Sequence, residues 1–209
     1  MSVAEARLAV SAGASALGLV GQMPSGPGVV DDALIAEIAA TVPPPVATFL
    51  LTSETRADAI VDHVCRCGTN TVQLVDRVEE GAHATIRRAL PQVKIVQVLH
   101  VADADVVDEA RALAGAVDAF LLDSGNPNLV VKELGGTGRV HDWDLSRRIV
   151  EAVDRPVFLA GGLRADNVAE AVARVRPFGL DLCSSVRSQG RLDGDKLAAF
   201  FSAVNHATA

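Results

Sequence analysis

Residues 156–185 read PVFLAGGLRADNVAEAVARVRPFGLDLCSS. Pro156 to Ala160 is a short aliphatic run, Ala165 to Arg174 carries apolar residues at helical spacing, and Leu180 to Cys183 is a second short apolar run. Strand, helix, strand within so short a stretch is the unit that joins parallel strands, because parallel neighbours need a crossover and no hairpin can connect them. Each run is followed by a turn of small residues, Gly161-Gly162 after the first and Ser184-Ser185 after the second.

The same rhythm extends along the whole chain. Further strand-like runs are Ala16 to Val20, Val46 to Leu51, Thr71 to Val75, Lys94 to Val98 and Ala119 to Leu122. They are almost wholly apolar, as strands covered on both faces must be. Helical patterns lie at Val3 to Ala12, Asp31 to Thr41, Glu54 to Cys67, Glu79 to Leu90, Asp103 to Ala114, Trp143 to Val153 and Asp193 to Val204. Thr52 or Ser53 with Glu54, and Asp193, offer starts that satisfy free N–H groups, and Gly13, Gly68 and Gly115 offer left-handed stops.

The expected fold class is therefore α/β, a (β/α)8 TIM barrel forming one domain over residues 1–209. Roughly seven strands and eight helices are counted, and the chain opens on a helix, so the barrel reads as lacking its first strand. A barrel missing a strand has two unpaired edges. The expectation is a late start, with the missing strand encoded ahead of Met1; the alternative is a gap patched by a partner, a homodimer included, or by a rearranged segment.

Composition narrows the function. A net charge of -7 disfavours nucleic acid, which needs a basic face. No apolar run is long enough to span a bilayer and MSVAEARLAV does not look like a secretory leader, so a cytoplasmic protein is expected. Cys65, Cys67 and Cys183 are odd in number and suit a reducing compartment. Cys65-x-Cys67 is tighter than zinc spacing, and His63, His83, His100 and His206 supply no pair at ligand spacing, so neither metal nor cofactor is assigned.

Three turns at the ends of late strands carry the chemistry: Gly135-Gly136-Thr137-Gly138, Gly161-Gly162, and Cys183-Ser184-Ser185. Small residues let main-chain N–H groups approach an anion, and barrels use their last loops in this way. Any one Gly-Gly could merely shape a turn, but together they point to a phosphate site formed by Gly135, Gly136, Gly138, Gly161, Gly162, Ser184 and Ser185. Asp123 ends the run Phe120-Leu121-Leu122, where a carboxyl in apolar surroundings can act as acid or base, with its pKa raised; the alternative is an Asx turn with Ser124 and Gly125. Asp142 reads as a helix N-cap, and Lys132, Arg139 and Arg164 could meet a carboxylate or phosphate.

The series Ala16-Leu17-Gly18, Val72-Gln73-Leu74, Leu121-Leu122-Asp123-Ser124, Gly135 to Gly138 with Asp142-Trp143, Leu159 to Leu163 with Asn167-Val168, and Gly179-Leu180-Asp181 with Ser184-Ser185 resembles phosphoribosylanthranilate isomerase across nearly the whole chain. The resemblance implies an Amadori rearrangement of a phosphoribosyl aminobenzoate in tryptophan biosynthesis, without metal or cofactor. It makes Asp123 the general acid that protonates the furanose oxygen, and it puts the family's base, a cysteine, at the end of the first strand. Cys183 stands where the family has serine, Ser25-Gly26-Pro27-Gly28 where it has Ser-Pro-Arg, and Val75-Asp76 where a histidine follows Gln73-Leu74. A non-catalytic phosphosugar-binding barrel, and an isomerase or epimerase of another sugar phosphate, are the alternatives. The implied partner in each case is a small phosphorylated sugar.

Overall fold

Aliphatic runs become parallel strands in both halves of the chain. The computed structural model describes residues 1–23, 28–125 and 141–208, which fall into two compact units, Met1–Gln97 and Val98–Ala209.

The first unit opens on helix α1 (Val3–Ser11), and no strand precedes it among the described residues. Then come β1 (Ala16–Val20), α2 (Asp32–Thr41), β2 (Ala47–Thr52), α3 (Ala57–Cys67), β3 (Thr71–Leu74), α4 (Ala82–Ala89) and β4 (Lys94–His100), whose last three residues belong to the second unit. Strands β1 to β4 pair in sequence order and all in parallel, with Leu19 opposite Leu50, Leu50 opposite Val72 and Val72 opposite Ile95. Every residue of β3 is buried, as expected for a strand covered on both sides. In β1 only Leu17 and Leu19 are buried, while Ala16 and Gly18 are exposed, so the expectation of two covered faces fails there.

Helix α3 shows why these segments are helical. Ile60, His63, Val64 and Cys67 recur at helical spacing and are all buried, leaving a polar outer face. Gly68 then takes φ +65°, and its N–H donates to the carbonyl of Val64, closing the helix as predicted. Its start differs from the expected Glu54. The helix begins at Ala57 after Arg56, and the Thr52 hydroxyl accepts from the Glu54 N–H at 3.3 Å in the preceding turn. Asp31 caps α2 through the Leu34 N–H.

In the second unit the order is α5 (Val106–Leu113), β5 (Ala119–Asp123), α6 (Trp143–Ala152), β6 (Val157–Leu159), α7 (Val168–Val175), β7 (Gly179–Leu180), a 3-10 turn at Ser184–Val186, a small antiparallel pair β8 (Arg187–Ser188) and β9 (Arg191–Leu192), and α8 (Gly194–Thr208). Strands β5, β6 and β7 are parallel, with Leu122 opposite Leu159 and Leu159 opposite Leu180. Asp142 caps α6, its carboxylate accepting from the N–H groups of Asp144 and Leu145, and Asp193 does the same for Asp195 and Lys196 at the start of α8. Arg174 on α7 lies 5.7 Å from the ring centre of Trp143 on α6, a cation–π contact that pins neighbouring helices.

Two expectations are corrected by the structure, and one element was not expected. β7 stops at Leu180 instead of running to Cys183, because the chain tightens into the 3-10 turn. The β8–β9 pair was not foreseen, since four polar-rich residues around Gly190 carry no strand periodicity. Gly115 does not adopt a left-handed conformation, and α5 ends on Ala114 in the ordinary helical region. No helix among the described residues is long and apolar enough to cross a membrane.

Candidate active site

Parallel strands present their carboxyl ends on one side, and in the second unit those ends carry Asp123 as the last residue of β5, Ala160 after β6 and Asp181 after β7. The ladder continues one step past the strands: the Ala160 N–H donates to Leu122 at 2.8 Å and the Asp181 N–H to Leu159 at 2.8 Å. Asp123, Ala160 and Asp181 therefore occupy one row, and residues in register on parallel strands point to the same face. Ala160 in the middle is small, so the two carboxyl groups face a shared space.

That space is a cavity of about 180 Å³ lined by Asp123, Gly161, Gly162, Arg164, Asp181 and the Cys183–Ser185 turn, among others. It has room for several waters, or a phosphate group, beside the two carboxyls. Asp123 is 8% exposed, and its Oδ1 accepts from the Ser124 N–H at 2.7 Å. This contact is to the next residue along, not to the Gly125 N–H that an Asx turn uses, and it orients the carboxylate while leaving Asp123 in the cavity wall. Burial, and next the charge of Asp123, push the Asp181 carboxyl from 3.8 up to about 6. Burial also lowers His141, although the charges of Asp123 and then Asp142 pull the other way; its Nε2 lies 2.8 Å from the Ser146 hydroxyl.

The same cavity is also lined by a glycine turn. Gly161 and Gly162 take φ +81° and +63°, two consecutive left-handed residues that a side chain would strain. The turn is tied back through the Gly162 carbonyl, which accepts from Asn167 Nδ2 at 3.0 Å and Arg164 Nη1 at 3.3 Å. The N–H groups of Gly161 and Gly162 meet no protein acceptor among the described residues. The Ser185 hydroxyl is buried and has no hydrogen-bond partner among the described residues. A buried donor without a partner is costly and is a mark of a ligand position.

Of the residues singled out from the sequence, the structure brings together Asp123, Gly161, Gly162, Arg164, Ser184 and Ser185. Gly135, Gly136 and Gly138, with Thr137, Lys132 and Arg139, lie outside the described residues, as do Ser25 to Pro27. Val75 is core, 2% exposed at the end of β3. Cys67 is no base, since burial, and next the charge of Asp32, push its thiol up to about 12. Sequence reading passed over Asp181. The signal was there in Gly179-Leu180-Asp181, a carboxyl directly after an apolar run, as at Asp123.

A parallel α/β fold with two carboxyl groups and a glycine turn lining one cavity at the ends of its late strands has the layout of barrels that handle phosphorylated small molecules. Comparison identifies the family. The model of N-(5'-phosphoribosyl)anthranilate isomerase matches residues 6–203, and the chain belongs to that family. It is 36% identical to N-(5'-phosphoribosyl)anthranilate isomerase 2 of Methanosarcina mazei over 95% of this chain and 88% of that protein. It is 25% identical to the phosphoribosyl anthranilate isomerase structure from Thermotoga maritima, with a TM-score of 0.80 over 99% of this chain and 95% of that one. Another isomerase structure, in complex with reduced 1-(o-carboxyphenylamino)-1-deoxyribulose 5-phosphate, is 23% identical with a TM-score of 0.77 over 98% of this chain and 94% of that one. The family function is the isomerisation step of tryptophan biosynthesis, and the (β/α)8 class expected from the strand–helix rhythm is that of these structures.

Proposed function

We propose that this chain isomerises N-(5'-phosphoribosyl)anthranilate, with Asp123 as the acid and the Gly161-Gly162 and Ser184-Ser185 turns as the phosphate grip. The observation that carries the reading is the shared cavity, lined by a carboxyl held by Ser124 and by donors at Gly161, Gly162 and Ser185 that have no partner among the described residues. Main-chain N–H groups hold a dianion without a basic side chain, and Arg164 adds positive charge at the rim. Gly135, Gly136 and Gly138 complete the grip in this reading. The ligand of the related isomerase structure is itself a sugar 5-phosphate carrying an aromatic carboxylate.

The rearrangement needs two proton transfers on different sides of the sugar. Asp123 gives its proton to the ring oxygen as the C1–O bond breaks, and the nitrogen lone pair forms the C=N bond. A base then takes the proton from C2, and the electron pair left behind neutralises the iminium to an enolamine. Reprotonation at C1 and loss of the enol proton give the aminoketose. In this reading Asp181 serves the second transfer. It shares a face with Asp123, about 10 Å away by strand spacing, and a carboxyl titrating near 6 is matched to exchange protons at neutral pH.

The test is rescue of a tryptophan auxotroph lacking this isomerase. Expression of the chain should restore growth, and expression of Asp123→Asn should not. Absence of rescue by the well-folded wild-type chain would refute the proposal.

A further inference from the structure

A second cluster of chemically active side chains lies in the first unit, apart from anything the isomerisation uses. Asp32 stands in the first turn of α2, and His63 and Cys67 sit one turn apart on the same face of α3. Asp32 Oδ1 is 3.1 Å from His63 Nε2, and one ligand atom from each of Asp32, His63 and Cys67 lies within 4.8 Å of the other two. We propose that these three side chains form a binding site for a tetrahedral divalent cation of the zinc type, with water as the fourth ligand.

Four observations support the assignment. The donor set is a carboxylate oxygen, an imidazole nitrogen and a sulfur, the combination that zinc accepts and that magnesium and calcium do not. Donors around tetrahedral zinc are separated by about 3.3–3.5 Å, so the cluster needs a contraction of roughly 1 Å to close on an ion. Outer partners already aim the ligands. The Thr52 hydroxyl lies 3.0 Å from His63 Nδ1, leaving Nε2 for the ion, and Arg66 Nε donates at 2.9 Å to the second Asp32 oxygen. Finally, the site is shaped around the imidazole. A Cβ at position 21 would stand 2.6 Å from His63 Cε1, so Gly21 is required for the ring to lie where it does.

His63 and Cys67 are buried at 4% and 0% exposure, whereas the Asp32 side chain is 32% exposed, which gives the ion and its water a way in from the α2 side. Binding must displace the Cys67 thiol proton to solvent, because the thiolate is the ligand. Without the ion the same groups form a hydrogen-bonded chain from Thr52 through His63 to Asp32 and Arg66. Sequence reading missed the cluster because Asp32 is far from the helix in the chain and only folding brings α2 against α3.

Cobalt(II) titrated into the chelator-treated full chain tests the site. The expected result is one equivalent bound with tetrahedral visible bands and a near-ultraviolet thiolate-to-cobalt charge-transfer band. Cys67→Ser should lose the charge-transfer band, while Cys65→Ser and Cys183→Ser keep it. Thr52→Val, which removes only an outer partner, should weaken binding about 10- to 100-fold and serves if Cys67→Ser fails to fold. A spectrum without the charge-transfer band, its survival in Cys67→Ser, its loss in Cys65→Ser or Cys183→Ser, or unchanged affinity in Thr52→Val would overturn the proposal. None of these readings depends on isomerase activity.

Discussion

Asp123 and Asp181 stand in one row at the ends of β5 and β7, separated only by Ala160, and both line the same cavity. Burial, and next the charge of Asp123, push the Asp181 carboxyl up to about 6.

Asp181 should therefore weaken the folded chain near neutral pH. Its folded pKa lies above the ordinary 3.8, so between about 4 and about 6 the native state binds more protons than the unfolded state. Stability contributed by this group falls as pH rises through that window. Asp181→Asn should raise stability at pH 7 by up to about 3 kcal/mol and flatten the dependence between pH 4 and 6. Thermal melts of both proteins across pH measure it; a parallel pH dependence in the variant would contradict the assignment.

Ser185 gives a prediction of opposite sign for fold and ligand. Its hydroxyl is buried without a partner among the described residues, so Ser185→Ala should leave the free chain as stable or slightly more so. Affinity for ribose 5-phosphate should fall about 10-fold or more, as for loss of a hydrogen bond to a charged group. Calorimetric titration of both proteins checks it.

The Gly161-Gly162 turn should not accept a side chain. Gly162→Ala at φ +63° should cost about 1–2 kcal/mol in backbone strain, and ribose 5-phosphate binding should weaken with it. Denaturant midpoints together with ligand-induced thermal shifts separate the two effects; an unchanged midpoint would mean the turn can relax.

The core of the second unit should respond as a close-packed interior. Phe120 is fully buried in β5, and Phe120→Ala should cost about 3–5 kcal/mol. Urea unfolding measures the loss.

Much of this was legible from the chain alone because strand interiors and helix faces are written in local apolar spacing. AFLLD, TVQL and the α3 pattern of Ile60, Val64 and Cys67 need no distant information. Strand ends were less legible. β7 closes at Leu180 because the next residues turn into Ser184–Val186, which apolar Leu182 and Cys183 conceal. The candidate site divides in the same way. Asp123 and the Gly161-Gly162 turn announce themselves by residue type after an apolar run. The pairing of Asp123 with Asp181 depends on register across three strands, and that of Asp32 with His63 on helix packing.

The most direct test is turnover of N-(5'-phosphoribosyl)anthranilate by the wild-type chain and by Asp123→Asn, with ribose 5-phosphate affinity measured on the same samples. The expected result is a loss of about 10²- to 10⁴-fold in kcat with affinity for the sugar phosphate retained. Full turnover by Asp123→Asn would contradict the account, because the carboxyl beside the anion-binding wall would then not be the acid.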